Sequence, residues 1–382
     1  MIFYLIFDHY YSGIIQSQVI DVVQELEAEK KLRFKIIAFV NLKRFREAKK
    51  SYKENAGRVI VLPNFGFSKW NWSFPLLLLY ALFYKPKTCI GRSVFANQLA
   101  LLLKKFQLTQ EAVLDARGAE FAEWSEYFFK EDNGPVSLEE IKRLEKESVE
   151  RSDRILSVSS KLIEYWQSII NAKFDLIKVS IISSTVSNEF HFDRTKVDVR
   201  NSIRERMKLE DSDILIVFSG SKSDWHALNQ VLRFCENLTV KFPNAQFLFL
   251  TNAIIDLSEY KNLKKVITQL WLIQSEVPDY LFASDYALLL RNNSWTNMVS
   301  SPVKLSEYVT CGCKVLISSQ IGDLSDLVKK ERLGEVIDNW TIPENIRPIL
   351  LQERCRVADV GYELFSKKDN LKAYNKTYIG KE

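Results

Sequence analysis

The feature that most constrains this chain is an alternation, run through twice, between short apolar segments and longer amphipathic ones. The first apolar run, IFYLIF at 2–7, gives way to a turn. Residues 14–26 then set Ile14, Val19, Val22, Val23 and Leu26 at helical spacing. Strands are predicted next at 35–40, 58–63, 88–93, 112–118 and 154–159, with helices at 94–105, 138–152 and 159–167 among them. The rhythm stops at 183–200, which is polar and aperiodic. It resumes with strands at 214–220, 246–252, 265–269, 286–291 and 314–319 and helices at 225–241, from 302 and at 323–329. Runs that are apolar throughout and parted by helices predict strands buried on both faces of parallel sheets. Two doubly wound α/β domains follow, 1–185 and 186–350. In the tail, 351–382, the helical stretch at 357–379 is predicted to cross back to the first domain. The polar stretch 183–200 is the expected linker.

Composition narrows the function classes. With 47% hydrophobic and 26% charged residues, the 382-residue chain is neither disordered nor collagen-like. A net charge of +5 is too small to imply a nucleic-acid partner. Five scattered cysteines suit reduced thiols in a cytoplasmic setting better than a disulfide frame. Cys311 and Cys313 lack the second pair that a structural zinc needs, so neither metal nor cofactor is expected. The N-terminus has no basic region before its apolar run, which reads as a strand and not a signal peptide.

In open parallel sheets ligands gather at the carboxyl ends of strands, so the residues just after each strand carry the chemistry. The most informative segment is Ser300–Tyr308. Ser301 suits a helix N-cap and Pro302 the first helical position. A helix N-terminus at 301–303, including Val303, offers free N–H groups to an anion. Lys304 and Glu307, three apart, share a face and suit a phosphate and a ribose diol respectively; a capping arrangement with a surface ion pair fits the same spacing. Asp115 and Arg117 end a strand of the first domain, where they suit either an acceptor or a structural ion pair. Gly13 allows either a close backbone approach to a ligand or a plain turn. Asp211 and Asp213 spell DxD but precede their strand, which predicts an ordinary acidic turn. His226 suits a donor to a phosphate but reads first as a helix-surface residue, and Trp271 suits the flank of a base but reads first as buried packing.

The run YALLLRNN…SSPVKLSEYVTCGCKVLISSQIGDL (286–324) resembles the donor-binding region of glycosyltransferases with the GT-B fold, in particular the retaining family 4 group of bacterial surface-polysaccharide pathways. VLDARGAEFAEW (113–124), ILIVFSGSKSDWHAL (214–228) and EVPDYLFASDYALLLR (276–291) are similar to other family segments in the expected order. The resemblance implies two Rossmann-like domains facing across a cleft. It also implies metal-independent transfer, with retention, of a sugar, as by a hexosyltransferase, from a nucleotide-diphosphate sugar to a glycan or lipid-linked hydroxyl. Glu307 matches the second of the family's two glutamates, but the first falls on Val299. The loop cations of the family reduce to Lys222 after Gly220, which shifts diphosphate neutralisation to Arg291 and Lys304. These departures leave open a catalytically silent GT-B partner of another transferase.

Two features bear on location. FPLLLLYALFY (74–84), within the segment 70–87, is uncharged but too short to span a bilayer; it suits a buried helix or an interfacial anchor. Residues 43–53 carry Lys43, Arg44, Arg46, Lys49, Lys50 and Lys53 against Glu47 alone. Together they are compatible with a peripheral contact at the inner face of a membrane.

Overall fold

A computed structural model describes residues 1–30, 32–53, 57–128, 135–220 and 227–380. The chain folds into two compact units. One comprises Met1–Ser183 and the chain from Lys367; the other is Ser184–Ser366.

The first unit holds a seven-stranded parallel sheet in the order β3-β2-β1-β4-β5-β6-β7. Its strands are β1 (Ile2–Phe7), β2 (Phe34–Asn41), β3 (Val59–Asn64), β4 (Thr88–Arg92), β5 (Glu111–Asp115), β6 (Arg154–Ser157) and β7 (Val179–Ile181). All six residues of β1 are buried, as a strand covered on both faces must be. The strand order reverses direction between β1 and β4, leaving a crevice at their carboxyl ends. Gly91 on β4 is required there. A Cβ would lie 2.2 Å from Cα of Asn97, so the helix Ser93–Lys105 is clamped directly onto its own strand.

The second unit carries a six-stranded parallel sheet in the order β10-β9-β8-β11-β12-β13. The strands are β8 (Ile214–Ser219), β9 (Ala245–Leu250), β10 (Ile267–Leu270), β11 (Tyr286–Leu289), β12 (Lys314–Ser318) and β13 (Gly334–Ile337). Here the reversal falls between β8 and β11. A buried charge cluster ties this unit together. Asp285, fully buried, accepts from Arg354 Nη2 at 3.1 Å, Arg204 Nη1 at 3.2 Å and the Leu215 N–H at 3.0 Å.

Two expectations about organisation need correction. The predicted linker is part of the second unit: Phe190 and Phe192 sit in its core, and the Phe192 N–H bonds the Thr310 carbonyl at 2.9 Å. The predicted single returning helix at 357–379 is two helices, Leu351–Phe365 and Lys367–Ile379, separated at Ser366. The first stays in the second unit, because Arg354 must reach Asp285 and because Gly361 lets the helix touch the backbone of Val309 and Thr310. Only the second belongs to the first unit. There Arg154 donates to the Thr377 carbonyl at 2.7 Å and the Tyr378 hydroxyl to Asp115 at 2.9 Å.

Candidate functional site

In the second unit the chemistry gathers at the carboxyl ends of β8, β11 and β12. The helix Val303–Thr310 begins there with Pro302 as its N-cap and no side-chain cap. Ser301 does not cap it, contrary to expectation. Its hydroxyl accepts the Ser184 N–H at 3.0 Å, and the Ser184 hydroxyl donates to the Ser301 carbonyl at 2.6 Å. The helix N-terminus is thereby left open. Lys304 Nζ pairs with Glu307 Oε2 at 2.7 Å, and Glu307 is buried. An ammonium has three donors, so Lys304 can hold this carboxylate and an anion together. Arg291 leaves β11 pinned to β12: its N–H donates to Ser318 Oγ at 2.8 Å, and that hydroxyl donates to the Arg291 carbonyl at 3.0 Å. Its Nη1 donates to Asn297 Oδ1 at 3.2 Å. Tyr308 secures the end of β8 by accepting from the Ser219 N–H and donating to its carbonyl.

Sequence reasoning placed Arg291, Pro302, Val303, Lys304 and Glu307 in one site, and all lie at or beside this sheet edge. Gly220 follows β8, with its N–H on the Leu250 carbonyl at 3.3 Å. Lys222 and His226 lie outside the described residues. Val299, where the resemblance looks for a glutamate, is fully buried. Asp211 and Asp213 sit in a turn at the amino end of β8, away from the strand's carboxyl end. Trp271 is not core packing: it is 69% exposed just past β10, because its neighbours in the chain, and not Trp271, point into the core.

The first unit contains a cavity of about 570 Å³ at the carboxyl ends of β1, β4 and β5. Arg117 lines it and Asp115 does not. Asp115 is fully buried and bonds the Tyr4 and Tyr378 hydroxyls and Arg117, whose Nε stands 2.6 Å away. Burial alone would raise the Asp115 carboxyl, but Arg117 and Arg92 hold it below the ordinary range. Asp115 therefore positions Arg117 and does not itself face a ligand. Gly13 lies in the same unit, opening a helical turn capped by Ser12, and is not part of the cavity wall.

The cavity wall also carries Arg92, Glu120, Glu123 and Glu145, which sequence reasoning missed. Glu145 is buried, accepting from the Phe121 N–H at 2.8 Å and Trp166 Nε1 at 3.0 Å, and burial pushes its carboxyl up to about 8. Burial likewise pushes Glu120 to about 7 and Glu123 to about 8. A signal existed for Glu145. It falls on the buried stripe of the helix Leu138–Arg151 with Ile141, Leu144, Ser148 and Val149, where a carboxylate is out of place.

Elsewhere in the first unit the helix Phe74–Tyr84 buries only Leu77 and Ala81. Leu79, Leu82 and Phe83 are 64%, 54% and 79% exposed. Nearby Trp72 is exposed too, with Lys69 Nζ 4.6 Å from its ring centre. No helix among the described residues is long and apolar enough to cross a membrane.

No protein-family model matches the chain, and no curated protein is similar to it in sequence. Solved structures are similar in fold. The chain has the GT-B fold, two parallel-sheet α/β units in one polypeptide. A sucrose-phosphate synthase from Thermosynechococcus elongatus is similar with a TM-score of 0.71 and 13% identity, over 99% of this chain and 98% of that one. WaaG, a glycosyltransferase involved in lipopolysaccharide biosynthesis, is similar with a TM-score of 0.62 and 11% identity, over 100% and 96%. The catalytic domain of starch synthase IV from Arabidopsis thaliana, solved with ADP and acarbose, is similar with a TM-score of 0.62 and 10% identity, over 99% and 98%.

Proposed function

We propose that this chain is a glycosyltransferase that moves a sugar from a nucleotide-diphosphate donor to an acceptor hydroxyl, without a metal and with retention of configuration. The observation that carries the reading is the uncapped N-terminus of the helix Val303–Thr310, with Lys304 on it and Arg291 beside it, at the carboxyl edge of the second sheet. A leaving diphosphate gains negative charge as the glycosidic C–O bond breaks. Cations and N–H groups fixed beforehand stabilise that charge more in the transition state than in the ground state. Glu307, held by Lys304, accepts hydrogen bonds from the ribose hydroxyls, and exposed Trp271 supplies a flat face for the base. The acceptor hydroxyl attacks the anomeric carbon, its proton passing to the departing diphosphate oxygen, so that nucleoside diphosphate and glycoside are the products. Arg117, positioned by Asp115, serves the acceptor.

The acceptor reading extends to a membrane, as with lipid-linked glycans of bacterial surface-polysaccharide synthesis. The apolar face of Phe74–Tyr84 and the exposed cations of 43–53 suit an anionic bilayer surface on the cytoplasmic side. A second reading, a silent GT-B partner, is favoured by the buried Val299. The two are separated by incubating the purified chain with a panel of nucleotide sugars, with and without a chelator. Chelator-resistant release of nucleoside diphosphate supports the enzyme; nucleotide binding with no release supports the partner, and activity restored only by a divalent ion overturns metal independence.

A further inference from the structure

We infer that the cavity of the first unit seats a phosphate-type anion carried by the acceptor, held between the N-terminus of the helix Ser93–Lys105 and the Arg92 guanidinium. The inference rests on the transferase reading only in calling this ligand the acceptor.

The backbone is built for such a group. β4 enters the helix through Ser93, a non-glycine residue held at φ +67°, a strained conformation of the kind that accumulates at functional sites. The N-cap residue, Arg92, gives no side-chain cap. The Val94 N–H therefore has an outside partner, and that partner is a carboxylate: Glu120 Oε2, at 3.0 Å. The protein itself places a carboxyl oxygen at this helix end, an acceptor where the helix dipole favours negative charge. Gly91 fixes the position, because the contact with Asn97 leaves the helix no room to slide on its strand.

A second observation is independent of the helix. Arg92 is 6% exposed, lines the cavity, and has an Nη1 with no hydrogen-bond partner. The nearest acid oxygen, Asp115 Oδ2, is 3.7 Å away and already bonds the Tyr4 and Tyr378 hydroxyls. Arg117 Nη1 on the same wall is also without a hydrogen-bond partner. Buried guanidinium nitrogens left unpaired are costly, and an anion on this wall would supply an acceptor that the protein does not. Phe7, Phe67 and Trp124 make the remaining wall apolar, which suits the body of a sugar or the start of a lipid. The wall's own acids do not forbid this. Burial raises Glu123 and Glu145 to about 8, so near neutrality they are mostly protonated and can donate, and it raises Glu120 to about 7, so that group is about half ionised there; Asp8 is the remaining acid. Glu120 acts as the placeholder that the incoming group displaces.

The test is calorimetric titration of the whole chain, at constant ionic strength, with inorganic phosphate, glucose 6-phosphate, glucose, and dihexanoylphosphatidate below its micelle concentration. Saturable one-to-one binding of a phosphate compound, with glucose roughly tenfold weaker or silent, is expected. Glu120→Gln should tighten it about tenfold, because the amide keeps an acceptor on Val94 but loses the negative charge that repels an incoming phosphate, and Arg92→Lys should weaken it by about as much, since a point charge replaces the planar fork. Glucose 6-phosphate as the better ligand assigns the group to a free sugar phosphate, and phosphatidate as the better one assigns it to a lipid headgroup; either supports the inference. No saturable phosphate binding, or binding that neither variant alters, overturns it. Parallel titration with UDP, GDP and ADP separates the two proposals. Nucleotide binding insensitive to Glu120→Gln leaves the transferase reading standing when this one fails, and its absence strikes that reading alone.

Discussion

Glu145 offers a direct test of the cavity's electrostatics. Its carboxyl is buried beside Trp166 and raised from an ordinary 4.5 to about 8, chiefly by burial. In the unfolded chain it ionises near its ordinary value. Between those two values the native state therefore holds a proton that the unfolded state has released. The sign follows: this group favours the fold below about pH 4.5, and that advantage is lost as pH rises towards about 8, at roughly 1.4 kcal/mol per pH unit. From pH 5.5 to 7.5 the loss is about 3 kcal/mol, which for a unit of this size lowers Tm by roughly 6–12 °C. Glu145→Gln removes the titration. The amide also forfeits one of two accepted hydrogen bonds, from the Phe121 N–H or from Trp166 Nε1, at about 1–3 kcal/mol at every pH. The readout is thus the slope and not the offset. Calorimetric scans of both proteins at pH 5.5, 6.5 and 7.5, following the transition of the first unit, should show a shallower fall for the variant. Parallel slopes would refute the claim that Glu145 folds protonated.

Three further outcomes are expected. Lys304→Ala should lower kcat by roughly 10²–10³-fold, while Glu307→Gln should mainly raise the donor KM; both are read from nucleoside-diphosphate release, and near-normal kinetics in both would place the donor elsewhere. Asp285→Ala should destabilise the second unit by about 3–5 kcal/mol, because it strands the buried Arg354 and Arg204 charges; a change below about 1 kcal/mol in chemical denaturation would show the cluster to be expendable. Flotation with anionic vesicles should fall with added salt and on Leu82→Ser with Phe83→Ser, whereas vesicle binding indifferent to both would dismiss the membrane contact.

What the sequence made legible, and what it hid, divides along one physical line. Strands such as β1 and β8 are buried from end to end, so every residue carries the same apolar signal and the doubly wound pattern shows twice. Edge strand β7 is three residues, two half-covered and one exposed, and carries almost none of that signal, so the sequence does not show it. The Lys304–Glu307 pair was legible because both members stand on one helix, where a spacing of three dictates contact. The fate of Ser301 was not. Locally it is an N-cap in every respect, but its hydroxyl is taken by Ser184, more than a hundred positions earlier. The break at Ser366 was hidden in the same way, because the pull on the preceding helix comes from Asp285 through Arg354.

The cavity is the extreme case of that division. Arg92 ends one strand, Glu120 follows the next, and Glu145 lies on a helix beyond both, so no spacing joins them. Their chemistry arises only once the sheet brings three carboxyl ends together and burial changes what each group wants. A carboxylate ordinary in the sequence becomes a proton carrier beside Trp166, and another becomes the cap of a helix with none of its own. Local pattern thus finds the candidate site in the second unit, where one short helix carries the Lys304–Glu307 pair. In the first unit the same reasoning finds only Arg117 and its support, Asp115, and the remaining groups become visible through burial and unmet hydrogen bonds.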